Sequence, residues 1–331
     1  MTAVPQDLTM RPITGPEELD LFTRLPYMLD RELADDLRTG RRRPGWMWVA
    51  LRGDRPTARL AWWSRPGDPA PFLLDIFDVA ADTAAPDATA HPAGTGGGAV
   101  ATSGDDGVRL LRTAMEHVLP EGARPPEYIR YVPPGWRDDP VASRVVETRV
   151  AALELTGARL FVERLRLNWR PGTPIAEPGG RLAFRPVAGR EELVELMTEV
   201  LEGTLDAHSR DELTRMTPRE AAVQQYEEEL ERYQSPREWW RVATTPGGEP
   251  VGFVIPAHNS YNPIIAYIGV LPAHRGKGHI DDLLAEGTRI LAAEGVPRVR
   301  ASTDLGNVPM ARAFRRAGYV EFERELNYTW P

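Results

Sequence analysis

The chain has 331 residues, 42% of them hydrophobic and 27% charged, with a formal net charge of -8. That length exceeds one ordinary hydrophobic core and fits two domains of about 150 residues, while the acidic balance argues against a general nucleic-acid or membrane-surface partner. The sequence contains no cysteine, which excludes disulfides, thiolate zinc and cysteine nucleophiles together, and its apolar runs fall far short of the roughly 20 residues of a membrane span.

The first residues, MTAVPQDLTMRPI, carry neither the basic nor the apolar region of a signal peptide, so a cytoplasmic location is expected. They lead into LTMRPITGPEEL (8–19), an alternating strand, a turn and the acidic start of a helix, and the pattern returns as LAFRPVAGREEL (182–193). A second pair matches as well. AALELTGARLFVERLRLNW (151–169) resembles ARAFRRAGYVEFERELNYTW (311–330), with Gly157, Phe161, Leu165 and Trp169 falling on Gly318, Phe322, Leu326 and Trp330. Self-similarity at such a distance implies two copies of one fold. The first copy is placed at 1–169, the Pro/Gly-rich RPGTPIAEPGG (170–180) serves as linker, and the second copy runs over 181–331.

In the first copy, strands are predicted near 45–52, 56–64 and 72–79, a helix near 106–119, a strand at 127–132, a helix near 141–156 and a final strand. Between them AADTAAPDATAHPAGTGGGAVATSGDD (80–106) has little to bury and reads as a disordered loop. The second copy is predicted as strand 181–187, two helices within 190–234, strands 238–245, 250–257 and 263–271, helix 278–294, strand 298–303, helix 307–317 and strand 319–329. The order is that of a mixed α/β domain.

The second copy replaces the long loop with VLPAHRGKGHI (270–280). A glycine-rich turn between a strand and a helix leaves backbone N–H groups free at the positive helix end, a geometry suited to phosphates. Gly276 and Gly278 permit close approach, and Arg275, Lys277 (the only lysine), His274 and His279 add charge nearby. The dinucleotide pattern fails for want of a third glycine, and the triphosphate pattern fails because no Ser or Thr follows the GK pair.

Val270, Pro272, Arg275 and Gly278, followed downstream by the asparagine-led NVPMARAFRRAGY (307–319), resemble the two signature motifs of the GNAT family, the GCN5-related N-acetyltransferases. The resemblance covers about 150 residues by motif; the first copy shares the element order and the two ends alone. It implies an α/β (α+β) protein of two tandem GNAT folds, each a mixed, mostly antiparallel sheet flanked by helices, the N-terminal one degenerate. It also implies acetyl-CoA as co-substrate. Backbone at Ile268, Gly269 and Val270 would pair with the pantetheine arm and acetyl carbonyl. Amides from Arg275 through Gly276, Lys277, Gly278 and His279 to Ile280 would take the pyrophosphate, and Asn307 would bond the cofactor's arm or cap a helix. Ile280 stands where relatives usually carry Gly or Ala, and Phe314 stands where many carry the tyrosine that protonates the leaving thiolate.

Amine acetylation needs a neutral amine, a polarised carbonyl and a proton returned to sulfur. Strand 263–271 carries no carboxylate, so Tyr267 and His258 are the leading catalytic candidates, with Tyr261, Thr303, Asp304, Asp206, His208 and Asp211 behind them and water as a further possibility. The six histidines lack metal-ligand spacing, so no metal is expected. Asp75 and Asp78 read as solvated carboxylates or as receptors for a cationic amine, and the Trp46/Trp48, Trp62/Trp63 and Trp239/Trp240 clusters as core or as an aromatic groove. The expected partner is a small amine, of amino-sugar type or otherwise, taken up by a monomer or homodimer without nucleic acid or membrane. Acetylation of a protein or peptide amine, or acyl-CoA sensing without catalysis, are the alternatives.

Overall fold

In the computed structural model, residues 7–81, 102–259 and 261–331 are described. They form two compact units. One comprises Met1–Phe161 with Leu326–Pro331, the other Val162–Glu325.

The first unit contains β1 (Leu8–Pro12), α1 (Leu19–Phe22), α2 (Leu33–Arg38), β2 (Met47–Arg52), β3 (Arg55–Trp63), β4 (Leu73–Val79), α3 (Ser103–Val118), β5 (Tyr128–Val132) and α4 (Pro140–Glu154). β1 to β4 form an antiparallel meander. β5 runs parallel to β4 and is paired with it at Leu74 and Tyr128, and Leu326–Thr329 from the chain's C-terminal strand lies beyond β5. One core, under α3 and α4, gathers Trp46, Trp48, Trp62, Phe77, Leu110, Leu111 and Leu153. Those tryptophans are therefore core residues. Most of the tract expected to be a disordered loop, 82–101, lies outside the described residues. Its far end is helical: Thr102 caps α3 in a capping box with Asp105, so the helix starts a turn earlier than predicted.

Asp75 and Asp78 are not solvated. Arg42 grips Asp75 with two bonds of 2.7 Å. Asp78, fully buried, accepts from Arg59 Nε (2.9 Å), Arg130 Nη1 (3.0 Å) and Arg149 Nη2 (2.7 Å). Burial opposes the Asp78 charge, and Arg130, Arg59 and Arg149 outweigh it, holding the carboxyl below its ordinary range. The sequence reading missed this because each arginine comes from a different element: β3, β5 and α4.

The second unit begins within β6 (Arg159–Trp169) at Val162 and continues through β7 (Ala183–Pro186), α5 (Arg190–Val200), α6 (Ala207–Glu212), α7 (Pro218–Glu228), β8 (Arg241–Thr244), β9 (Pro250–His258), β10 (Pro263–Val270), α8 (His279–Ala293), β11 (Val299–Asp304), α9 (Val308–Arg316) and β12 (Val320–Thr329) as far as Glu325. Its sheet order is β7-β8-β9-β10-β11-β6 followed by the start of β12. Three helices, not two, fill residues 190–234. Two cores lie on opposite faces of this sheet. α8 and α9 cover Val254, Ile265, Val299 and Ala301, while α5 and α7 cover Val242, Phe253 and Ile255, with Tyr267 packed at the margin. Trp240 is buried there and Trp239 half-buried, so neither tryptophan makes an open groove.

The repeated turn has the same bonding in both copies. Arg11 donates to Glu18, which also accepts from the Thr14 N–H at 2.7 Å; Arg185 donates to Glu192, which accepts from the Ala188 N–H at 2.6 Å. The shared RP…EEL spacing is this clasp. The arginine, then the backbone donor, hold Glu18 down to about 2, and Arg185 lowers Glu192 in the same way.

Candidate active site

β9 and β10 pair along their whole length, with a bulge at Ala266 between Ile265 and Tyr267. On its other side β10 is paired with β11 at Ile264 and Arg300. Past that point the parallel strands diverge. The β11-facing backbone from Tyr267 to Val270 is left as an open edge, and such an edge can bond an extended ligand as another strand would. Gly269 is required beside it, since a Cβ there would come within 2.6 Å of Val200 on α5.

β10 runs directly into the turn. Gly276 (φ 75°) and Gly278 (φ 77°) are both left-handed, and Gly278 is the N-cap of α8. Among the described residues nothing accepts from the N–H groups of Gly276, Lys277, Gly278, His279 or Ile280. Five free donors therefore converge at a helix start, where the dipole favours an anion. Ile280 keeps its N–H, so the departure from Gly or Ala removes no donor.

The charged side chains behave differently from expectation. Arg275 spends its guanidinium on carbonyls: Nε on Val270 (3.1 Å), Nη1 on Glu202 (2.6 Å) and Nη2 on Val200 (2.8 Å). It ties the end of β10 to the end of α5, leaving a charge but few donors for a ligand. Lys277 Nζ bonds the Ala273 carbonyl at 2.9 Å. Arg181, not singled out in the sequence, donates to the Gly278 carbonyl (2.8 Å) and to Asp282, and so braces the turn. Burial first, then Arg181, pushes His279 down, so its imidazole is neutral at pH 7. A cavity of about 240 Å³ opens beside α8's first turn, lined by Ile175, Asp281, Ala285, Thr288 and Arg316 among others.

Asn307 is the N-cap of α9, accepting from the Met310 N–H at 3.3 Å. Phe314 is 2% exposed, in the core beneath α8, with its ring 5.1 Å from that of Tyr319.

Tyr267 and Asp304 stand on opposite walls of the divergence. Asp304 ends β11, is 2% exposed, accepts from the Ala207 N–H at 2.6 Å and meets Arg164 Nε at 3.1 Å. Asp206 caps α6 through the Ser209 N–H. Burial, then the charges of Asp206, Glu212 and Glu229, push the Tyr267 phenol well above its ordinary range. Burial, then Asp206, likewise raises Asp304, and burial raises Glu212. The mouth thus gathers a phenol that keeps its proton and two carboxyls slow to lose theirs.

His258 is not brought to this mouth. It pairs with Pro263 at the turn end of the hairpin, three residues beyond the Ile255 that faces Tyr267, or about 10 Å along the strand, and strand alternation turns it to the opposite sheet face. Tyr261 sits at the same end, exposed, and Asp211 is turned to Arg215. Glu212 and Arg164 were missed. Glu212 adjoins a candidate segment and could have been included, whereas nothing in sequence order connects Arg164, on β6, with Asp304.

Residues 204–319 match the family model of the acetyltransferase (GNAT) family. Over that span the chain is a GNAT domain, of the acyltransferase type. Solved structures carry the likeness across the chain. The GCN5-related N-acetyltransferase from Sphaerobacter thermophilus is 18% identical, with 99% of this chain and 96% of that one covered and a TM-score of 0.57. The glucosamine N-acetyltransferase region of a fungal multi-domain GH3 β-N-acetylglucosaminidase is 15% identical, over 98% of this chain and 38% of that one, with a TM-score of 0.55. A tandem GNAT protein from the clavulanic acid biosynthesis pathway is 17% identical, covering 98% of both chains, with a TM-score of 0.46. At these identities the first two comparisons establish the fold alone. No curated protein matches the chain. Among the described residues no helix is long and apolar enough to cross a membrane.

Proposed function

We propose that the chain transfers the acetyl group of acetyl-CoA to the amine of a small acceptor, with the co-substrate held by the Val162–Glu325 unit. The observation that carries this reading is the continuity of the open β10 edge with the five free amides of the turn. Together they match a ligand with an extended amide-bearing arm and a diphosphate. The backbone of Ile268, Gly269 and Val270 borders the arm, with the Val270 N–H as carbonyl donor. The amides from Gly276 to Ile280 take the diphosphate, Asn307 borders the arm, and the cavity beside α8 suits the nucleotide end. Acetyl-CoA supplies the activated acyl group and the thiolate leaving group.

Among the described residues the first unit shows no second seat. Its β4 and β5 diverge after Leu74 and Tyr128 as β10 and β11 do, but Arg130 and Arg149 cross to Asp78 and tie the two walls together. Calorimetry is expected to give one acetyl-CoA per chain, and two equivalent sites would overturn the assignment.

On the acceptor side, Asp304 or Glu212 can take the amine proton. Both ionise above the ordinary carboxylate range, so the rate should climb with pH through that raised range and then level. Tyr267, protonated at neutral pH, can donate to the departing sulfur. Tyr267→Phe is expected to lower kcat by at least about tenfold with little change in the acetyl-CoA dissociation constant, and the parent's rate should not fall near the ordinary phenol pKa of about 10. An unchanged kcat would remove Tyr267 from the chemistry.

A further inference from the structure

On the sheet face that carries Tyr267, β11 and β6 present cationic and amide side chains that the reaction above does not use. Arg300 and Asn168 are partners in register, as are Ser302 and Arg166. Val299 and Ala301 point the other way, into the core under α8, so Arg300, Ser302 and Asp304 share the open face. The Arg300 guanidinium stacks 3.7 Å from the centre of the Phe322 ring, and Arg166 lies over the same ring at 5.5 Å. Arg166 is paired with Glu323, and Arg298 donates to Asn262 at 3.0 Å.

Arg300 differs from its neighbours. Among the described residues its guanidinium makes no ion pair, the nearby Glu323 charge being taken by Arg166, and its Nε is buried without a hydrogen bond. Asn168 beside it is 7% exposed and has a buried Oδ1 with no partner. Burial, then the charges of Arg298 and Arg166, push the Arg300 guanidinium down to about 10, which still leaves it ionised at neutral pH. Ser302 is exposed, so solvent reaches this face. In a chain of net charge -8 this is a local reversal of sign. An unpaired guanidinium here loses solvation without gaining a partner unless a ligand provides an acceptor, while the Asn168 Oδ1 is itself an acceptor and would take a donor from elsewhere on the ligand. The planar fork of Arg300, fixed by stacking, presents paired donors to a carboxylate or phosphate.

We infer that the Arg300 face is the seat for an oxyanion carried by the acceptor, which is then a two-ended molecule, an amine at one end and a carboxylate or phosphate at the other. This rests on the acetyl-transfer reading. Arg300 pairs with Ile264, and Tyr267 lies three residues farther along β10, so the two ends are separated by about 10 Å.

The test compares ω-amino carboxylates of increasing chain length, the matching alkylamines and an ω-aminoalkyl phosphate as acceptors for the full chain. Parent enzyme should favour the anionic amines by at least tenfold in kcat/KM, best near the length that spans 10 Å. The carboxylate and phosphate arms tell which oxyanion fits. In Arg300→Ala the ratio of kcat/KM between amino carboxylate and alkylamine should fall at least tenfold through KM, and Arg300→Lys should restore part of it. Equal use of charged and neutral amines by the parent, or an unchanged ratio in Arg300→Ala, overturns the inference. Calorimetry with N-acetyl-8-aminooctanoate reads the seat without catalysis. Arg300-dependent binding with no transfer to any amine would retire the acetyl-transfer reading and keep the seat; transfer to alkylamines with no such binding would do the reverse.

Discussion

Gly278→Glu is expected to weaken acetyl-CoA binding by more than a hundredfold while the protein stays folded. Gly278 is the left-handed N-cap of α8, in the middle of the five free amides. In the proposed seating a glutamate there sets a carboxylate against the diphosphate and opposes the local field of the helix end. The nearest side-chain atoms to a new Cβ are the Arg181 Nη atoms at 3.7 Å, so the substitution meets no packed wall. Its folding cost is the left-handed backbone, about 1 to 2 kcal/mol. Gly278→Ala carries the same backbone cost without the charge and should lose no more than about tenfold, or about 1.4 kcal/mol. Calorimetric titration together with thermal melting separates binding from folding. Affinity within threefold of the parent in Gly278→Glu would place the diphosphate elsewhere.

The shape of the turn was legible because it is local. Two glycines, a preceding strand and a following helix lie within eleven residues, and each element formed within a residue or two of its expected bounds. Asn307 was legible for the same reason, and its capping bond is the one its residue type predicts. What the sequence concealed depends on contacts between distant segments. Arg275 was expected beside the phosphates on its charge, yet its partners are carbonyls at Val200 and Glu202, more than 70 positions away. Arg164 and Asp304 are separated by an even longer stretch of chain. His258 illustrates the opposite case. It is close in sequence to β10, but strand alternation turns it to the face opposite Tyr267, about 10 Å along the strand. The burial of Phe314 also bears on the missing tyrosine, since a phenol added there would have to share a packed space with Tyr319.

Asp78→Ala should be the most destabilising single change of a charged residue in the first unit. Asp78 is fully buried and is the shared acceptor for Arg59, Arg130 and Arg149. Arg59 would retain Asp30 at 2.8 Å and the Phe22 carbonyl at 3.0 Å, and Arg130 would retain its stacking 3.6 Å from the centre of the Tyr27 ring. Asp30 balances one of the three guanidinium charges, and the other two are left in excess in a dry site. Removing one partner of a buried ion pair costs about 3 to 5 kcal/mol, which in a domain of this size lowers Tm by roughly 10 °C. The parent's dependence on acid follows from the same carboxyl. Because its folded pKa lies below the unfolded value, the stabilisation is present above about pH 4 and is lost as the pH falls through the folded pKa. Asp78→Ala should therefore flatten the acid limb of the stability curve as well as lower the plateau. Replacing the whole group by apolar residues, as Asp78→Leu with Arg130→Met and Arg149→Leu, should recover most of the lost Tm, since no charge is then stranded. If the single change costs less than about 1 kcal/mol, the scale of an exposed ion pair, the arginines must reach solvent or other anions, and the tie between β4 and β5 would not be what closes the first unit.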